Sequence, residues 1–137
     1  MDVILAVLAD AANSTENGKL NLLGVFQTVF SAEAPVRYPL FNIVMTIRAD
    51  SSEKGTNHSV GFALTDDESR DVYKNEPLQF DVPVGTKTPY TELSFIFVIT
   101  DLILPKFGFY QFQVVIDGRI VRQIDLILQP LILPREG

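Results

Sequence analysis

Hydrophobic and polar positions alternate with a period of two along most of this chain, and no stretch sustains a 3.6-residue repeat with caps at both ends. The alternation is cleanest near the C-terminal end. Tyr110, Phe112, Val114 and Ile116 fall on one face, Gln111 and Gln113 on the other, as in a half-buried antiparallel strand. Asp117-Gly118 follows and can take the positive φ angles of a tight turn, and the run from Ile120 to Leu128 supplies the second arm of a hairpin. Upstream, Phe41, Ile43, Met45 and Ile47 share one face opposite Asn42, Thr46 and Arg48. Val60, Phe62 and Leu64 are in phase over the strand from His58 to Leu64.

The remaining segments read the same way. Residues 2–9 form a short, continuous apolar run, predicted as a buried strand. Asn13 to Lys19 is a polar loop ending in the turn pair Asn17-Gly18. Leu20 to Phe30 is extended, so residues 3–30 are expected to make the first hairpin, with Gly24 marking a bulge or a close backbone approach. A Pro-bounded connection covers 34–39 and a charged loop covers 50–56. The turn Asp66-Asp67-Glu68-Ser69 returns the chain through Val72 and Tyr73. Leu78 to Val82 is a short strand, Pro83 and Pro89 bracket a loop, and Leu93 to Ile99 is rich in β-branched and aromatic residues. The prediction is an all-β fold: a single antiparallel β-sandwich of eight to nine strands, immunoglobulin-like or C2-like, over residues 1–129. An apolar, Pro-bounded tail, 130–137, follows it.

Length and composition narrow the picture. The 137 residues contain no repeat and no long linker, which fits one domain, and 47% hydrophobic residues can fill its core. The net charge of −6 and the lack of any Lys/Arg cluster argue against nucleic acid as a partner. No cysteine is present, which removes disulfides and thiolate chemistry. Val3 to Ala9 precedes the small-residue stretch Ala9-Asp10-Ala11, but Asp2 stands where a secretory signal needs cations. No run reaches the ~20 apolar residues of a membrane span. A soluble, cytoplasmic chain with no membrane insertion is expected. Asn13-Ser14-Thr15 and Asn57-His58-Ser59 match the N-glycosylation pattern, which matters only in a secreted protein.

The candidate chemistry is sparse. His58 is the single histidine, with no second His and no Cys to share a metal or activate a nucleophile, and it reads as an exposed residue at the start of a strand. Asp66, Asp67, Glu68 and Asp71 cluster at one turn, and Asp101 and Asp117 are placed near other strand ends. Sandwich end loops can cage Ca²⁺ with such carboxylates. Asp also favours turns and keeps loop tips solvated, and no Ca²⁺-loop motif is present. Asp66, Asp67, Asp71, Asp101 and Asp117 are therefore the metal candidates, subordinate to the solvated-turn reading, and no cofactor is assigned. Paired carboxylates would also suit a glycosidase, but there is no Trp for sugar stacking, leaving Tyr38, Tyr73 or Tyr90. No nucleophile elbow or phosphate-binding loop occurs, and no catalytic residue is assigned.

Leu131, Ile132 and Leu133 lie between Pro130 and Pro134, where termini are usually polar. They either pack back on the sandwich, the simpler reading, or dock on a partner by self-association or strand addition. Missing catalytic chemistry and this tail together point to a non-enzymatic interaction or assembly module. The alternative is a small-ligand or Ca²⁺-binding domain using the acidic end loops.

Three stretches carry a resemblance. Ala9-Asp-Ala-Ala-Asn13, the run Asn17-Gly-Lys-Leu-Asn-Leu-Leu-Gly-Val-Phe26 and the ending Gly108, Tyr110, Phe112, Val114, Asp117, Gly118 are similar to a bacterial family of small proteins of unknown function. The resemblance covers both ends and leaves the middle mostly unmatched. It implies a bacterial, intracellular β-sandwich and transfers no catalytic residue. Asp10 and Asn13 are expected to bond loop amides, as Asx side chains do.

Overall fold

The computed structural model describes residues 1–85 and 87–132. The described residues form ten strands and one short 3-10 turn, and no helix among them is long and apolar enough to cross a membrane. The strands are β1 (Asp2–Ser14), β2 (Leu20–Phe26), β3 (Thr28–Ser31), β4 (Val36–Asp50), β5 (Asn57–Asp66), β6 (Asp71–Lys74), β7 (Leu78–Asp81), β8 (Tyr90–Leu104), β9 (Gly108–Ile116) and β10 (Arg119–Pro130). They make a four-stranded sheet in the order β2-β1-β4-β8 and a six-stranded sheet in the order β3-β10-β9-β5-β6, with β7 also pairing β5. The expected β-sandwich is the fold, with ten strands where eight to nine were counted. All pairings are antiparallel except that of β3 with β10.

The extra strand arises at Gln27. The segment 20–30, expected to be one arm, pairs with β1 as far as Phe26 and then crosses to the other sheet, where Thr28 to Ser31 run parallel to Ile127 to Pro130. Gly24 makes a close approach without a bulge, because the β1–β2 register is unbroken around it. Its φ is +67°, and a Cβ there would lie 2.5 Å from Asp10 Oδ2.

The core lies between the sheets. Phe41, Ile43, Met45 and Ile47 of β4 meet Val60, Phe62 and Leu64 of β5 and Tyr110, Phe112, Val114 and Ile116 of β9, the sets predicted from period two. The Asp117-Gly118 hairpin is as expected, with φ of 52° and 78° in a two-residue loop. Tyr110 is fully buried, and its hydroxyl donates to the Lys106 carbonyl at 2.6 Å and accepts from the Lys106 N–H at 3.1 Å. A tyrosine at a strand start, bonded to backbone just upstream, is the corner feature of immunoglobulin-like sandwiches.

β4 and β8 are each 15 residues long and paired almost throughout. Pro39, which has no N–H for a ladder bond, sits between the pairs Tyr38–Leu102 and Leu40–Thr100, beside Asp101 with φ +53°. Both strands turn over there. Val36, Tyr38, Leu102 and Leu104 therefore face the core from positions whose parity would otherwise point them out.

Candidate functional site

Both outer faces of the sandwich expose apolar side chains, and on the six-stranded sheet Phe30, Phe109 and Ile120 are 59%, 42% and 53% exposed. On the six-stranded sheet the residues turned away from the core include Gln111, Gln113, Gln123 and Asp125, in register across β9 and β10. Gln111 Nε2 donates to Asp125 Oδ1 at 3.2 Å. On the four-stranded sheet the outward rows are mostly apolar, with Ala9 and Val44 0% exposed and Asn42 and Thr46 7% exposed among them. One row runs Val25, Ala9, Asn42, Val98; the next runs Val7, Val44, Ile96; the third begins Leu5, Thr46, Ser94. Leu23, Val25, Leu40 and Val98 are 71%, 56%, 53% and 60% exposed.

The few polar side chains inside this apolar face are already bonded. Asn42 is buried and its Nδ2 reaches the Asp10 carbonyl at 3.3 Å, while the Thr46 and Ser94 hydroxyls bond each other at 2.9 Å. Arg48 lies over the Tyr90 ring at 4.2 Å and pairs with Glu92 at 2.7 Å, closing one end of the face. Arg37 and Asp101 pair at 3.4 Å at the other end. A partner laid over Leu23, Val25, Leu40 and Val98 would bury carbon, while Arg48 Nε at the end of the face is already buried without a hydrogen-bond partner.

The predicted metal candidates do not converge. Asp66 caps its own turn: Oδ1 accepts from the backbone N–H of Glu68 and Arg70, both at 2.9 Å, and Oδ2 accepts from Arg70 Nε at 3.1 Å. The Arg70 backbone bond, with the Glu68 backbone bond and the guanidinium, holds the Asp66 carboxyl below its ordinary range. Asp67 pairs with Lys106 at 2.9 Å. Asp101 lies inside β8 and not near a strand end as expected, and Asp71 opens β6. Among the described residues no group of three or more His, Cys, Asp or Glu could hold a metal ion.

His58 is not the exposed residue expected at the start of a strand. Its side chain is 16% exposed, with Nδ1 at 2.6 Å from Asp117 Oδ2 and Nε2 at 2.6 Å from the Thr56 hydroxyl. Asp117 Oδ1 also accepts from the Ser59 N–H at 2.9 Å. The turn carboxylate thus locks the β9–β10 hairpin onto β5. The His58 bond, then the Ser59 bond, hold Asp117 below the ordinary carboxylate range. A lowered folded-state pKa stabilises the fold above the unfolded-state value of about 3.9 and loses that contribution as pH falls through the folded value. Asp117→Asn is therefore expected to flatten part of the acid limb of the stability profile below about pH 4. Urea midpoints measured across that range for both proteins check it, and superimposable acid limbs would contradict it.

Asp10 and Asn13 bond other side chains and not loop amides. The Tyr38 hydroxyl donates to Asp10 Oδ1 at 2.7 Å, and Asn21 Nδ2 donates to Asn13 Oδ1 at 2.9 Å. Burial, with the Asp10 carboxylate second, pushes Tyr38 up to about 12, so the phenol stays a donor. A groove of about 530 Å³ lies on the six-stranded sheet, floored by Gly61, Ala63, Gln113 and Val115 and walled by Asp71 and Lys74. At the tail, the Leu131 N–H donates to the Ser31 carbonyl at 2.8 Å, and Leu131 and Ile132 are 49% and 86% exposed. Leu133 lies outside the described residues.

The sequence reading missed the apolar face. Its signal was the unbroken apolar run Val3 to Ala9, and Val44 standing between Ile43 and Met45, since continuous runs mark strands apolar on both sides.

Solved structures share the fold. The β-glucosidase from Listeria innocua in complex with glucose superposes with a TM-score of 0.52 over 93% of this chain and 17% of that one, at 13% identity. The Pseudomonas fluorescens alkylpurine DNA glycosylase AlkC, bound to DNA containing an abasic site analog, superposes with a TM-score of 0.50 over 75% of this chain and 28% of that one, at 10% identity. This chain spans less than a third of either protein, and at such identities the likeness is one of fold alone. No curated protein matches it significantly. A family profile does, over residues 4–129, and the chain belongs to that family, DUF6941, a family of unknown function.

Proposed function

We propose that this chain is a non-enzymatic interaction or assembly module that docks a protein partner on the outer face of its four-stranded sheet. The observation that carries the reading is the set of exposed apolar side chains on that face, Leu23, Val25, Leu40 and Val98. Large exposed apolar patches with polar rims mark interaction surfaces. The tail belongs to the same proposal as a second contact, through Leu131 and Ile132, whose side chains remain exposed although the backbone is tied to β3. We place the module in the bacterial cytoplasm, in keeping with its cysteine-free sequence and the family resemblance at its two ends.

The test is capture from native lysate with the tagged chain and with a Leu23→Asp/Val98→Asp variant. Both positions are exposed, so the folded state is expected to survive with little change in melting temperature. A partner retained by the parent chain and lost by the variant is the expected outcome. The same retained set with both would contradict the proposal.

A second reading rests on the groove. Its volume of about 530 Å³ and its mix of Asp71, Lys74 and Gln113 with apolar lining from Ala63 and Val115 suit a small polar ligand. A ligand bound there raises the melting temperature, and Lys74→Ala is expected to lower that rise. A panel of small polar compounds giving no shift in the parent chain would remove this reading.

A further inference from the structure

We infer that the free edge of β8 is a strand-addition site, which takes an extended peptide segment with apolar side chains at alternate positions. This goes beyond docking on the face of the sheet, because the contact is made first by backbone groups along an edge.

Among the described strands the two sheets end at β2 and β8, and at β3 and β6, with β7 beside β5. Three of these edges are blunted. β3, β6 and β7 are only four residues long, and Pro77 interrupts the chain between the last two. β2 has seven residues and carries Gly24 at φ +67° within it. β8 is different: it runs for 15 residues and pairs with β4 alone. From Leu93 to Thr100 it has no charge, no proline and no register shift, the devices by which natural sheets discourage edge pairing. Every second residue of such a strand turns its N–H and C=O away from its neighbour. Among the described residues no other backbone group meets those of Leu93 to Thr100.

The side chains along this edge specify what an added strand should carry. Met45 and Ile43 of β4 are 0% exposed, yet Phe95 and Phe97, their partners in register on β8, are only partly buried. Their rings stack at 5.8 Å, with Phe80 of β7 at 5.1 Å from Phe95 and Phe62 of β5 at 4.7 Å from Phe97. The flank left uncovered is the one where a next strand would lie. Residues directly opposite each other in paired strands share a face. Apolar side chains level with Phe95 and Phe97 would therefore close this flank, while those between them would lie beside Ser94, Ile96 and Val98.

The fold already makes such a contact within itself. Thr28 to Ser31, a four-residue extended segment, adds to the edge of β10 by parallel pairing. Main-chain bonds supply affinity in this mode, and alternate side chains supply selectivity. A second copy offering its own β8 would bring one chain of charge −6 against another, which opposes the contact. A single extended segment carries no such field.

Amide hydrogen exchange of the full chain, read by nuclear magnetic resonance, tests this with a synthetic peptide of the Phe41–Arg48 sequence as the probe. That segment pairs with β8 in register and alternates Phe, Ile, Met and Ile with Asn, Val, Thr and Arg. The expected result is slower exchange at every second amide between Leu93 and Thr100, those turned away from β4, with a raised melting temperature. The same peptide N-methylated from Ile43 to Thr46 keeps its side chains, lacks the donors and is expected to do neither. Leu23→Asp, on β2 at the far edge of the sheet, is expected to respond as the parent chain does, which separates this site from docking on the face. No slowing along β8 with the unmodified peptide overturns the inference, as does equal slowing with the N-methylated one. Slowing in the pure chain as its concentration rises, without peptide, identifies a second copy as the occupant and also overturns it.

Discussion

Phe112→Ala is expected to lower stability by about 3–5 kcal/mol, the cost of removing a large aromatic from a filled core. Phe112 is fully buried in the middle of β9, with its ring 6.1 Å from that of Phe41 and 6.5 Å from that of Tyr73. Phe41 in turn touches Phe26 and Tyr38, so the ring at 112 links the six-stranded sheet to an aromatic cluster on the other. A domain of ordinary stability holds only about 5–15 kcal/mol, so this substitution is expected to cost a large fraction of it. The measurement is urea unfolding at equilibrium, where the midpoint falls sharply. A loss below about 1 kcal/mol, the range of surface changes, would mean that the sheets do not meet at this ring.

Tyr110→Phe is the second large effect and acts through one oxygen. The ring stays buried, but the Lys106 N–H and carbonyl both lose the hydroxyl that pairs them in the bend between β8 and β9. Leaving part-buried backbone groups unpaired costs about 1–3 kcal/mol. The same unfolding experiment checks it. Unchanged stability would show that water replaces the hydroxyl at that bend.

The sequence made the sandwich legible because β9 and the core face of β4 alternate cleanly, and the Asp117-Gly118 turn is a local device. Three features were not legible, each for a physical reason. Pro39 reads as a strand breaker, yet it is carried inside β4 because Asp101 opposite takes a positive φ and both strands turn over together. The crossing at Gln27 is a single residue between two extended segments, and nothing local says that Thr28 to Ser31 will pair with a strand a hundred residues away. His58 and Asp117 meet only because β5 and β9 are neighbours, a fact of strand order and not of spacing.

The candidate site was harder to read than the fold. The acidic residues drew attention because Asp and Glu suggest chemistry, but Asp66, Asp67, Asp101 and Asp117 are each engaged by a cation or imidazole of their own chain. The apolar outer face was hidden in runs that also serve the core. In Val3 to Ala9, alternate residues face opposite ways, and a sequence of like residues does not say that the second side lacks a cover. Only the structure shows it, because Leu23 of β2, Leu40 of β4 and Val98 of β8 are left more than half exposed.

The chain's lack of cysteine makes the decisive measurement simple. Val98→Cys places a single thiol on the edge strand β8 of the apolar face, and Gln123→Cys places one on the outer face of the six-stranded sheet. Labelling each with a thiol reagent in native lysate, and again after denaturation, reads how far each face is covered. The docking account predicts that Cys at 98 is shielded until the protein is denatured, while Cys at 123 labels fast in both conditions. Equal, fast labelling at both positions in native lysate would contradict it.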